Sequence, residues 1–315
     1  MARFVAIQLD KLPPPDAIQV PDYEIILAAR KENLLARVEA QTGDADLIAE
    51  LRAVLYGSEL EPLVVDQEVS AERELIVLER VNDAVRAVLL PTAKGADLDS
   101  ICARLGVERM RSPANAAVSP PTAEIVESDE RLRERYQLAL EAFSTCGSYG
   151  AYRFHAMTAS PDVRDVGIYG PEEDFVDEGR VHIYVLSRLG DGTPSAPLLA
   201  AVNAKCSPEE ARPLADWVHV YPATIATYAI SVHLLIRRGA DPSLVAAEAE
   251  RELAKYADDT HRVGAIVALG GLYDGAHSAN VIRTTLISPV AEVAPGPTAA
   301  PSCTGIIVTW EVADG

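Results

Sequence analysis

The residues that could do chemistry fall into three groups. The first is a hydrolase-like set, with Ser195 as nucleophile, Asp216 as orienting carboxylate and His219 or His233 as base. Ser195 sits in LGDGTPS, which lacks the GxSxG elbow that exposes a nucleophile, so its expected role is a helix cap. The same loop has no lysine after its glycines and no P-loop spacing, and reads as a plain strand-to-helix turn. The second group is His182, His219 and His233, all on expected strands. They lack HxH or HExxH spacing, so no metal site is expected. The third is Glu172, Glu173, Asp174, Asp177 and Glu178. Without the alternating oxygens and ordered glycine of a calcium loop, they read as a solvated hairpin tip. Four cysteines, Cys102, Cys146, Cys206 and Cys303, form no CxxC pair and read as buried thiols in a reducing compartment. No cofactor is expected.

The elements that must position these groups form one connected block, Glu127 to Val220. Ser128 is a good N-cap, and Asp129 and Glu130 put negative charge on the positive end of a helix. Leu132, Tyr136, Ala139, Leu140 and Phe143 then recur at helical spacing. They oppose a polar face of Arg131, Arg133, Glu134, Arg135 and Glu141. After Gly147 and Gly150, Tyr149 to Met157 form a short apolar turn or helix. Val163 to Tyr169 and Val181 to Leu186 read as strands joined by PEEDFVDEG. Gly190, Gly192 and Pro194 turn the chain, and Thr193 or Ser195 caps a helix through Leu198, Leu199 and Val202.

This order of elements resembles the baseplate J-like family, the wedge proteins of contractile phage tails and related injection particles. Glu127-Ser128-Asp129, Leu132-Arg133 and Arg135 match its first helix. Gly147-Ser148 with Tyr152 to Ala156 match its turn and Ala-rich helix. Val163, Asp165 and Val166 match its V-x-DV strand, and Gly190, Gly192, Pro194, Ser195, Leu198 and Leu199 its next turn and helix. Arg212, Pro213, Leu214, Asp216 and Val218 match its RPL-x-D-x-V segment. Glu178-Gly179 stands where the family usually has Pro-Gly. The resemblance is carried by Gly95 to Arg238, continues to Trp310 and fades before Gly95.

Composition agrees with a soluble assembly subunit. Length, 315 residues, suffices for two or three cored domains. The formal charge of −19, from 47 acidic and 28 basic residues, argues against a nucleic-acid partner. MARFVAIQLDKL lacks a signal-peptide core, and no segment reaches the ~20 apolar residues of a membrane span. Folding in a cytoplasm is therefore the expectation.

Before the block the chain reads as helical. Tyr23, Ile26, Leu27, Leu34 and Val38 mark a helix ending before Gly43, and Leu47, Leu51, Val54 and Leu55 a shorter one stopped at Gly57. Ser70 is expected to cap a long helix to Leu90, with Leu75, Leu78, Val81, Val85, Val88 and Leu89 near heptad spacing and Ile76, Val77 and Leu90 outside that seam. A small helix spans Asp97 to Leu105, and RSPANAAVSPPT reads as an interdomain linker. After Ile225 the pattern gives a strand, a helix from Asp241-Pro242 and a glycine-interrupted helix from Val263 to Ala279. Strands Arg283 to Ala294 and Thr304 to Glu311 follow, with PGPTAAPSC as an exposed hairpin tip between them.

The expected fold is α+β: a helical region over 1–122, then two small domains over 123–222 and 223–315 with mainly antiparallel sheets. The resemblance implies a non-enzymatic wedge subunit of a virion baseplate, assembled in the host bacterial cytoplasm. It implies paired copies of this chain in a ring, a second wedge protein (protein I-like) and a sheath-initiating protein (protein W-like). Central hub, spike and tail-fibre proteins are then met indirectly. Ile26, Leu34, Leu75, Leu78, Val81, Val85 and Leu89 are the helix-bundle candidates on this reading. Ser128, Asp129, Arg133, Asp165, Gly192, Pro194, Ser195, Arg212, Pro213 and Asp216 are the structural motif positions. Two other classes stand beside it: a hydrolase built from Ser195, Asp216 and His219 or His233, and a carbohydrate- or protein-binding module. Only two Trp and four Phe argue against a sugar platform.

Overall fold

A computed structural model describes residues 9, 12–13, 17–58, 60–112, 124–144 and 147–313. Two compact units divide the chain, one over 7–104 and the other from Leu105 onward.

The first unit is helical. Helix α1 (Tyr23–Thr42) starts at Asp22, whose carboxylate accepts from the Glu24 amide. It ends at Gly43, whose left-handed backbone lets its N–H reach the Glu39 carbonyl. Asp44 caps α2 (Ala45–Gly57) in the same way. Helix α3 (Pro62–Ala87) begins eight residues before the expected Ser70, with Pro62 at its first position. Ser70 lies inside this helix; proline, with no amide to lose at a helix start, is the better start signal here. Ile26, Leu27 and Ala71 form one buried cluster between α1 and α3, and Leu35, Leu55 and Val64 form a second that includes α2. Asn82 of α3 clamps the segment before α1, exchanging two 2.9 Å hydrogen bonds with the backbone of Ile18. A short helix α4 (Gly95–Cys102) follows, continued by a 3₁₀ turn to Leu105.

The second unit opens with a two-strand ladder, β1 (Arg111–Ser112) against β2 (Ile125–Val126). Most of the expected linker, from residue 113 on, lies outside the described residues. Helices α5 (Asp129–Leu138), α6 (Tyr149–Thr158) and α7 (Ala196–Cys206) accompany the sheet of β3 (Val163–Tyr169), β4 (Arg180–Ser187) and β5 (Trp217–Pro222). Their shared core is built on Leu138, Tyr152, Met157, Val166, Ile183, Val185 and Val202. The next sheet, in the order β7-β6-β8, uses β6 (Thr224–Ile236), β7 (Val281–Ser288) and β8 (Ala299–Val312). Helices α8 (Pro242–Thr260) and α9 (Leu269–Ala276) bury one face of it through Val245, Leu253 and Leu272.

The α+β class is as expected, but the sheets are mixed rather than mainly antiparallel. Each has one antiparallel and one parallel pair. In the first sheet α7 is the crossover that a parallel β4–β5 pair requires. In the second, β8 runs beside β6 and not beside β7. The stretch expected as a hairpin tip is therefore partly strand: Ala299 and Ala300 are buried and pair with Thr224 and Ile225. Helix α9 covers only the middle of the expected Val263–Ala279 segment, as its glycines foreshadow.

Candidate assembly site

The motif residues build a buried charge network behind the first sheet. The Glu127 carboxylate, fully shielded from solvent, accepts from Arg131 Nε at 3.1 Å and Arg135 Nη1 at 2.6 Å. It also accepts from the Met110 amide at 2.9 Å. Arg131 spreads its remaining donors over the carbonyls of Met157, Ser160, Pro161 and Val163, tying α5 to the end of α6 and the start of β3. Burial pushes the Arg131 guanidinium down to about 10, and the adjacent Glu127 charge opposes that shift. Arg135 also donates to the Glu108 carbonyl. Arg109 joins the Glu127 carbonyl to Asp129, with a 2.6 Å contact to the carboxylate.

The expected polar face of α5 is thus partly its core face. Arg131 and Arg135 are buried, whereas Leu140 and Phe143, expected on the apolar face, are 66% and 74% exposed. Helical periodicity assigns faces by residue type. It has no term for arginines that find a carboxylate and several carbonyls inside.

A second network joins the two sheets. Arg153 of α6 contacts Glu134 and Asp165, each at 2.7 Å. Burial works against its charge, but those two carboxylates outweigh it and raise its pKa. The other oxygen of Asp165 accepts from the Val263 amide at 2.8 Å. Arg164 donates to the carbonyls of Asp258 and His261 and to the Asp258 carboxylate. Tyr169 Oη donates to the Pro297 carbonyl. Leu186, Ala223 and Ala300 form a small buried cluster at the same junction.

The remaining motif positions are local fasteners. Ser128 and Ser195 accept from the Arg131 and Leu198 amides as N-caps. Arg133 is half-buried on α5. Gly192 takes a positive φ of 102°, and a Cβ there would stand 2.7 Å from Leu186 Cδ1; Pro194 beside it is buried. Arg212 donates to the carbonyls of Ser207, Pro213 and Asp216. Asp216 accepts from Tyr152 Oη at 2.8 Å, and burial, then this bond, raises the phenol's pKa.

Gly147 closes that corner: its φ is +71°, and a Cβ would lie 2.7 Å from Asp216 Oδ2 and 2.9 Å from Pro213 Cγ. Gly147→Ala is expected to destabilise the second unit by about 1–3 kcal/mol through strain and a displaced Asp216. Chemical denaturation checks it; a wild-type midpoint and slope contradict it.

The hydrolase set is not assembled. Ser195 caps α7, Asp216 is engaged by Tyr152, and His233 lies on the other sheet with Thr309 at 2.9 Å. His219 faces away from the helices, opposite Val218 and Val220, which pack on the core. Of the three histidines, only His182 and His219 meet, as register partners on β4 and β5. Among the described residues no group of three or more His, Cys, Asp or Glu side chains is arranged to hold a metal ion. Cys102 and Cys206 are buried and Cys303 half-buried; Cys146 lies outside the described residues.

The helix-bundle candidates divide sharply by exposure. Ile26 is buried, and Leu34, Leu75 and Leu78 pack on the clusters inside the first unit; Val85 of α3 and Leu89 just beyond its end are half-buried. Val81 is exposed and joins Val77 and Val88 in one stripe; Val65, Val69 and Ile76 form another. On the second sheet Ile307 alternates with the core-packed Ile306 and Val308, and Ile282 and Ile287 sit at the two register shifts of β7; all three are exposed.

Comparison with known proteins identifies the family. Residues 59–115 match the baseplate J-like N-terminal domain and residues 144–222 the baseplate J-like central domain. Baseplate protein J of Escherichia phage P2 is 37% identical over 299 residues, covering 95% of each chain. The chain belongs to the baseplate J-like family. The J-like N-terminal match takes in the whole of α3, so the likeness extends further toward the N-terminus than the motif residues reveal. The J-like central match contains the Tyr152–Asp216 corner and the whole first sheet, and Glu127, Arg131 and Arg135 precede it.

Proposed function

We propose that this chain is a wedge subunit of a contractile-tail baseplate, paired with a second copy of itself and bound to a second wedge protein. Family membership makes it a structural protein of a phage baseplate. The finer reading is that the helical region over 1–122 enters a bundle with its paired copy and a protein I-like subunit. The lobes over 123–222 and 223–315 then make the contacts that close a ring around the spike hub. A protein W-like sheath initiator is met directly, and hub and tail-fibre proteins indirectly. The work is mechanical: modest interfaces shift together when contraction is triggered, and no catalytic step is involved.

The observation that carries this reading is α3. Its inner face is filled by α1, yet Ile76, Val77 and Val88 remain 51%, 60% and 68% exposed. Two apolar stripes on a helix otherwise rich in charge suit partners on more than one side. Among the described residues no helix is long and apolar enough to cross a membrane, so lipid is not the favoured cover. The −19 charge disfavours nucleic acid. The chain would be made in the host bacterial cytoplasm and end in the virion tail. Electron microscopy of particles made without this chain tests the role. Tails lacking a baseplate ring, restored by supplying the chain, are expected; rings of normal outline in its absence contradict it.

A further inference from the structure

We propose that His182 and His219 form a two-histidine binding site for a nitrogen-preferring divalent cation, of the Cu²⁺, Ni²⁺ or Zn²⁺ type. The two are register partners on the adjacent parallel strands β4 and β5. Both lie on the face opposite the helices, because Val181, Ile183, Val218 and Val220 take the core side. Their ring centroids are 5.8 Å apart with planes at 89°. Two imidazoles sharing one ion with bonds of ~2.0–2.1 Å place their centroids about 5–6.5 Å apart, a range that includes the spacing of this pair.

Both ring nitrogens of His182 and Nε2 of His219 are buried without a hydrogen-bond partner. A neutral imidazole carries one donor and one acceptor, and leaving these unmet inside a protein is costly. Burial, then the neighbouring His219 and Arg180, lowers the His182 pKa below its ordinary value. Arg180 would repel a cation, but its charge is matched by Asp177 at 2.9 Å.

Tyr221 stands over the pair, 5.1 Å from the His182 ring and 6.3 Å from the His219 ring. It is 37% exposed on β5, an edge of the three-stranded sheet, so the site has an opening to solvent. With two protein donors the ion keeps open positions, which water fills. Such a site would staple the outer strand β5 to the central strand β4.

Trp217, two residues before His219 on the same face of β5 and 70% exposed, is a built-in reporter. The chain has two tryptophans, so Trp310→Phe leaves Trp217 alone. Tag-free protein of that background is titrated with Cu²⁺, and separately with Zn²⁺ in competition. Saturable quenching at one ion per chain is expected. His182→Asn and His219→Asn should each weaken it roughly tenfold or more, while His233→Ala on the other sheet leaves it unchanged. The copper electron-spin spectrum of the unmodified chain needs no substitution and should show coupling to two nitrogens. Quenching indifferent to both asparagine variants, or a spectrum without two-nitrogen coupling, would overturn the site and leave an adventitious ion only.

Discussion

Glu127→Ala is expected to cost the second unit about 3–5 kcal/mol, the largest loss of any single substitution proposed for stability. The carboxylate it removes is the shared partner of Arg131 and Arg135, whose side chains are only 4% and 3% exposed. Truncation leaves two guanidinium groups facing each other in a buried site. It also strips the Met110 amide of its acceptor. At ~2–4 °C per kcal/mol for a unit of this size, the melting temperature should fall by about 10 °C. Arg131→Met should cost about as much for a different reason. It orphans the carbonyls of Met157, Ser160 and Val163 that fix α6 and β3. Calorimetry of both variants checks the claim. A loss below about 1 kcal/mol for Glu127→Ala would mean that the three charges are solvated and not a shared core element.

Val77→Glu with Val88→Glu should leave the fold intact and weaken association of the chain with its partners by about 100-fold or more. Val77 lies on the outer side of α3, where glutamate is also a good helix former, and Val88 is the exposed cap residue at its C-terminal end, so the exchange costs the free subunit little. In an interface each valine would contribute ~1.5 kcal/mol of apolar burial, and each glutamate adds the cost of desolvating a charge. Together they exceed the ~3 kcal/mol that 100-fold represents. Circular dichroism should be unchanged while sedimentation shows the smaller species. Full association by the double variant would move the interface to another surface, with the open face around Ile282, Ile287 and Ile307 next to be tested.

Much of the fold is legible in the sequence where local chemistry is decisive. Gly43, Ser128, Ser195 and the Asp241-Pro242 pair mark helix ends because capping is a matter between residues two or three apart. Strands β3, β4 and β6 announce themselves through apolar β-branched runs. What depends on distant partners is not legible. No local pattern reveals that β8 pairs with β6 from Thr224 to Ile236, which turns the Pro- and Ala-rich stretch before Cys303 into strand. Nor does any local pattern say that Arg131 and Arg135 point inward, since the deciding groups, Glu127 apart, lie more than twenty residues away. A trace of it is nonetheless present: Arg131 and Arg135 stand four residues apart on one side of α5, and Glu127 lies just before its N-cap.

The assembly surface was legible only in part. The near-heptad stripe of α3 marks an apolar side, but a stripe does not say whether its cover comes from the same chain. Leu75 and Leu78 are covered by α1, whereas Ile76 and Val77, outside the seam, stay exposed.

The most direct measurement is the mass in solution of this chain, alone and co-expressed with the proteins encoded beside it in the tail gene cluster. The wedge account predicts self-association and then a stable complex of fixed stoichiometry with a second tail protein. A monomer that binds none of them would contradict it.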